Sequence, residues 1–232
     1  MYLHDAHIAN VVTSFATLSS GIITTLFWYF DEKQPLRWLF FYLTIIITAI
    51  PTIIHHIFPT IQFWTSIDVM TNILLIWALE LALAGDFFKP QTYKKFVSII
   101  SIINLIVILE LGYEIFYPPK NLLISFGGKN GFPFGEIALI LNAVLSVIIL
   151  SYYTKTFTKK QKSVLMLLVF IFLIGLILST GSDGFIYPRF IGWHSLWHVT
   201  GAFGFIVLWF FNHLRFVEKG DNVCCFTAFI SG

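Results

Sequence analysis

The chain is 232 residues long, 57% hydrophobic and only 11% charged, with a mean hydropathy of +0.84. Soluble domains are about a quarter charged, so a soluble fold is excluded, and a net charge of +2 is no nucleic-acid signature. The length suits several membrane spans and little else, which predicts one all-α integral membrane domain over 1–232, with a C-terminal tail from about 214.

Seven apolar runs approach the roughly 20 residues that a helix needs to cross a bilayer. In chain order they are Ala9–Tyr29, Trp38–Ile57, Ser66–Ala84, Phe96–Phe116, Gly135–Tyr153, Ser163–Ser179 and Trp193–His213, so the expected fold is a seven-transmembrane helix bundle. No basic region precedes the first run, which marks a retained span rather than a cleaved signal peptide. The second contains Pro51, expected to bend its helix, and ends at His55-His56. A short uncharged connection with Pro59, Thr60 and Gln62 leads to the third, which carries Ser66 and Asp68 in its first turn. Glu80, Glu110, Glu114 and Glu136 lie within or at the ends of the third to fifth runs. The seventh opens with Trp193-His-Ser-Leu-Trp-His198. Cys224 and Cys225 are adjacent in the tail, and neighbours rarely bridge each other, so they read as free thiols.

The basic residues give a direction. Lys33, Arg37, Lys89, Lys94, Lys95, Lys155, Lys159, Lys160, Lys162, Arg215 and Lys219 fall on one side, and only Lys120, Lys129 and Arg189 on the other. Eleven against three predicts a cytoplasmic C-terminus and an N-terminus outside or in a lumen. The same topology puts His55, His56, Asp68, His194 and His198 together at the outer ends of their helices, which the charge count did not require.

A lone membrane histidine is more often a packing residue than a ligand, but several at one level with a carboxylate are a functional signal. His194 and His198 stand one turn apart on one helix face, where both can hold one metal ion. Three imidazoles with an open fourth position suit a catalytic zinc ion, and a nearby carboxylate can take a proton from water. Haem fits less well, because two histidines on one face approach it from the same side. His55 points about 100° away from His56, and spacing alone leaves open which of the two takes part. Thr52 shares the face of His56; its hydroxyl either serves the site or bonds to its own helix backbone. The four membrane glutamates read as partners of Asn72, Asn104, Asn142 or the backbone. His4, Asp5 and His7 read as surface residues, and His213 as interfacial.

Thr52-x-x-x-His56, then Asp68, then His194-x-x-x-His198 on the last span resembles the superfamily of seven-span hydrolases that holds alkaline ceramidases, adiponectin-receptor-like and Per1-like proteins. The stretch His194-Ser-Leu-Trp-His-Val-Thr-Gly201 is most similar to the ceramidase branch, and Ser14-Phe-Ala-Thr-Leu-Ser-Ser20 resembles an early motif of that branch. The resemblance implies Zn2+ on His56, His194 and His198, with Asp68 as the base toward water. Thr52 stands where the superfamily usually has serine. Of the acidic calcium-binding cluster of such ceramidases only Asp5 remains, so calcium is not expected. The implied activity is hydrolysis of a lipid amide, most plausibly ceramide. Two other readings stay open: a receptor or channel-like protein with a closed structural zinc site, and a transporter that works through its membrane carboxylates.

Overall fold

Hydrocarbon offers no water to satisfy backbone N–H and C=O groups, so a chain this apolar must close its hydrogen bonds locally, as helices. The computed structural model describes residues 2–31, 33–116, 134–180 and 192–217; for residues 2–7, 62, 114, 134–137, 179 and 180 this covers the backbone alone. Lys120, Lys129, Arg189, Lys219, Cys224 and Cys225 lie outside the described residues, as do the side chains of His4, Asp5, His7, Glu114 and Glu136. Among the described residues there are seven α-helices and no strand: α1 (Tyr2–Phe30), α2 (Leu36–Ile57), α3 (Gln62–Phe87), α4 (Pro90–Phe116), α5 (Phe134–Tyr152), α6 (Lys159–Thr180) and α7 (Trp193–Phe216). Six of them, all but α5, are long and apolar enough to cross a membrane by length and composition; the apolar stretch described in α5, Ala138–Tyr152, is shorter. The chain is a multi-pass membrane protein.

The helix ends follow the prolines. Pro35 precedes α2 and Pro90 opens α4, where a missing N–H costs nothing. Pro90 also disfavours helical backbone at Lys89, and α3 stops three residues before the proline, at Phe87. Pro51 lies inside α2, which continues through it. Helix α3 begins at Gln62, four residues earlier than the apolar run suggests. Asp68 therefore sits in its second turn, not its first, because the turn after α2 closes tightly through Phe58 N–H to Ile54 O and Ile61 N–H to Phe58 O.

Helix α2 packs between α1 and α3, α7 against α1 and α6, and α4 and α5 flank α3. The buried stripe of α2 runs Trp38, Phe41, Tyr42, Ile45, Ala49, Thr52 and His56, the spacing of a single helix face. It begins as aromatic core and ends as polar site. Gly21 allows the close approach of α1, since a Cβ there would stand 2.8 Å from Ile46 Cγ1 and 3.0 Å from Ile46 N. Met166, Phe170, Leu173 and Ile177 on α6 are exposed at helical spacing, a face suited to lipid.

A charged lock fixes the end of the bundle opposite the histidines. Asp86, at the end of α3, pairs with Arg37 on α2 and with Arg215 on α7, the latter at 2.7 Å. It also accepts a 3.0 Å bond from Trp38 Nε1. The Arg215 guanidinium lies over the rings of Phe87 at 4.6 Å and Phe216 at 4.7 Å. Beside this cluster, Asn212 donates to the Tyr42 hydroxyl, Tyr42 donates to Gln34 Oε1, and His213 Nδ1 meets Asp31 at 3.0 Å. His213 is thus tied to the residue that follows α1.

Candidate metal centre

With α2 and α7 locked at one end, their other ends bring His56, at the last turn of α2, against His194 and His198, in the first two turns of α7. His56 Nε2 stands 2.9 Å from His198 Nε2 and 3.1 Å from His194 Nε2. Among the described residues this is the one group of His, Cys, Asp or Glu side chains whose ligand atoms all lie within 4.8 Å of one another. His56 and His198 are buried and His194 is half-buried.

This convergence is poorly explained as hydrogen bonding. An imidazole Nε2 has one in-plane valence, occupied by a hydrogen or by a lone pair. His56 Nε2 cannot both donate to one neighbour and accept from the other. Three Nε2 lone pairs this close are satisfied together by a cation held between them. Three nitrogens held tetrahedrally at metal bonds of about 2.0–2.1 Å would be roughly 3.3 Å apart, within a few tenths of an ångström of the 2.9 and 3.1 Å seen here. The donor set therefore fits a metal ion.

The structure separates His56 from its neighbour. His55 Nδ1 lies 3.1 Å from Thr65 Oγ1 on α3, so His56 is the member of the triad. Asp68 is not in the triad. Its Oδ1 takes a short hydrogen bond from Thr52 Oγ1 and a 3.2 Å bond from Asn72 Nδ2. Both contacts fall on the same oxygen and leave Oδ2 for other work. The Thr52 hydroxyl also lies 2.9 Å from Thr48 O; it has one proton, so backbone and carboxylate share it. Asn72, expected to partner a glutamate, serves Asp68 instead, and its Nδ2 also donates to the Asp68 carbonyl at 2.9 Å. Its place one turn beyond Asp68 was the available signal. A further support is Ser195, fully buried, whose hydroxyl donates to Asn10 Oδ1 on α1 at 2.5 Å and so pins the first turn of α7 between the two histidines.

Below the triad lies a cavity of about 340 Å3, bordered by Thr52, Asp68, Asn72 and His198 and continuing between α5 and α6 to Leu150 and Leu208. From His198 to Leu208 along α7 is about 15 Å by helical rise. One end is polar and the rest is lined mostly by Leu, Ile, Val and Phe. Helices α5 and α6 both wall the cavity, but among the described residues they are not one of the closely packed pairs.

The expected glutamate pairings hold only in part. Asn104 and Asn142 pair with each other, Asn142 Nδ2 donating to Asn104 Oδ1 at 2.7 Å. Glu80 is fully buried against the Asn104 side chain, one of the partners expected for it. Glu110 is exposed. Compared with known proteins, the chain matches no family model and no curated protein.

Proposed function

We propose that this protein is a zinc-dependent hydrolase of lipid amides, ceramidase-like in its chemistry, built as a seven-span bundle with its N-terminus and metal centre on the non-cytoplasmic face. The observation that carries the reading is the meeting of three imidazole Nε2 atoms with a separately held carboxylate at the polar end of an elongated apolar cavity. Helix α5, at 19 residues, has a length of about 28 Å, close to the roughly 30 Å of a bilayer core, which supports it as the seventh span. The basic residues described gather at the ends of α1, α3, α5 and α7 and the starts of α2, α4 and α6, which supports the orientation.

Bound by His56, His194 and His198, zinc would supply Lewis acidity toward a carbonyl and toward water. The chain's own groups do the rest. Asp68, through Oδ2, takes the proton of the attacking water and delivers it to the nitrogen as the C–N bond breaks, giving a carboxylic acid and an amine. Thr52 and Asn72 hold the other carboxylate oxygen, so that Oδ2 keeps one direction. Gly201, Gly204 and the apolar walls of α5 and α6 receive the hydrocarbon tail. The loosely joined α5–α6 side gives a tail access from the bilayer without passing through water.

A structural zinc site would be closed by a fourth protein ligand. Among the described residues the group has three members, and His55 is held by Thr65, which favours the catalytic reading over the receptor-like one. The deciding experiment is hydrolysis by purified protein of ceramide, other N-acyl lipids and ester lipids, before and after chelation and with zinc restored. Amide cleavage that chelation abolishes and zinc restores is expected. Turnover indifferent to chelation, or none on any amide lipid in zinc-loaded protein, defeats the proposal.

A further inference from the structure

The cavity below the triad has a defined depth. Its lining runs from Thr52 to Phe41 on α2, from Asp68 to Leu79 on α3 and from Trp197 to Leu208 on α7. Each run covers about 16 Å by helical rise. The far end is shut by Phe41, Leu150 and Leu208, which belong to one buried cluster with Tyr42, Phe157 and Phe211. Three glycines border the cavity, and helix contact accounts for two of them. A Cβ on Gly204 would stand 3.3 Å from Ile171 Cγ2, and one on Gly175 3.7 Å from Trp197 Cδ1. A Cβ on Gly201 would meet nothing within 4 Å. Glycine weakens a helix interior relative to alanine, and no neighbouring helix requires it at Gly201. What its missing side chain leaves open is the cavity, about 4.5 Å below His198.

We propose that the cavity is a length-selective lumen for one unbranched acyl chain of about twelve carbons, held open at Gly201 and ended by Phe41, Leu150 and Leu208. The direction of the chain rests on the lipid-amide reading: carbonyl at the triad, methyl end on the floor. An extended hydrocarbon chain advances about 1.25 Å per carbon, from C–C bonds of about 1.5 Å at near-tetrahedral angles, so about 16 Å takes roughly a dozen. The volume agrees. A methylene is close in size to a water molecule, about 30 Å3, so the 340 Å3 of the cavity holds about eleven in one chain and has no room for a second. Selection works by fit rather than by hydrophobicity, because the bilayer is as apolar as the lumen. A shorter chain leaves the walls without contact atoms. A longer one must bend back between α5 and α6 or push into a packed core.

The test is retention of free fatty acids, the acids that the proposed reaction would release, by purified, zinc-loaded, full-length protein. An equimolar mixture of unbranched saturated acids, from about eight to twenty carbons, is equilibrated with the protein in detergent. The bound fraction is extracted and quantified by mass spectrometry against empty micelles. The profile should peak near twelve carbons, with the longest chains several-fold depleted. Gly201→Leu, which sets a side chain in the lumen, should lower retention of the twelve-carbon acid roughly tenfold or more. Phe41→Ala, which lowers the floor, should move the peak to longer chains by about two to four carbons. A profile with no peak, or one that Gly201→Leu leaves unchanged, overturns the proposal. Should Phe41→Ala fail to fold, Gly201→Leu decides, because its side chain enters open space. Failure of the hydrolase reading is distinct: a peaked profile in protein that cleaves no amide lipid keeps the lumen and removes the reaction.

Discussion

Replacing His56 by alanine is the sharpest perturbation of the metal centre, because His56 is the triad member that α2 contributes. Its Nε2 is the vertex from which both measured contacts, 2.9 and 3.1 Å, extend. Without it two imidazoles remain, on one face of one helix. Structural zinc sites with four ligands bind with about 10–16 kcal/mol, or about 2.5–4 kcal/mol per ligand, so zinc affinity should fall roughly 10²–10³-fold. The sign of the stability change should depend on the metal. In zinc, the wild type should melt higher than His56→Ala. In chelator, the wild type must hold three ring nitrogens together with too few protons to pair them, so the variant should lose little or even gain. Competition with a chromophoric chelator gives the affinity, and melting with and without zinc gives the reversal. An unchanged zinc affinity, or a His56→Ala penalty identical in zinc and in chelator, would refute convergence of the three imidazoles on one ion.

Three further outcomes are expected. Asp68→Asn should keep its zinc while turnover on the amide lipid falls by about 10²–10⁴; zinc lost together with activity would make Asp68 a ligand rather than a base. Asp86→Ala strands Arg37 and the buried Arg215, a loss of about 3–5 kcal/mol, so its melting point should drop by roughly 10 °C or more with zinc affinity in the folded protein little changed. For sidedness, an impermeant thiol reagent should label Thr60→Cys in intact cells and spare Lys159→Cys until the membrane is opened; the reverse pattern would place the metal centre on the cytoplasmic face.

The residues that could be read ahead of the structure are those governed by helix periodicity. His194 and His198 at i and i+4 share a face whatever surrounds them, and Thr52 and His56 do the same on α2. The basic bias sets antiparallel order, and antiparallel order alone brings the end of α2 to the start of α7. What periodicity could not supply is rotation about each helix axis. His55 and His56 differ by one residue, and only the docking of α2 between α1 and α3 turns His55 toward Thr65 and His56 toward α7. The same limit hid the partner of Asn72. Along the chain it is equally suited to a glutamate on a neighbouring helix or to Asp68 one turn before it, and packing decided for Asp68. The start of α3 was misplaced because Gln62 and Thr65 are polar; a tight turn makes helix there without hydrophobic residues.

The charged lock and the metal centre solve one problem from opposite ends. On the proposed reading, a cavity that admits a lipid tail sideways needs an opening in its wall, and α5 and α6 line the cavity without close mutual packing among the described residues. A metal centre tolerates no such looseness, since its ligands must meet within tenths of an ångström. The bundle separates the two demands. Helices α1, α2, α3 and α7, which carry the histidines, Asp68 and the Asn10–Ser195 contact, are the ones tied by Arg37, Asp86, Arg215, Asp31 and His213 at the far end. None of those ties includes α5. On that reading lateral access and a rigid triad coexist in one small fold, because the seam between α5 and α6 lies apart from the contacts that hold the ligands.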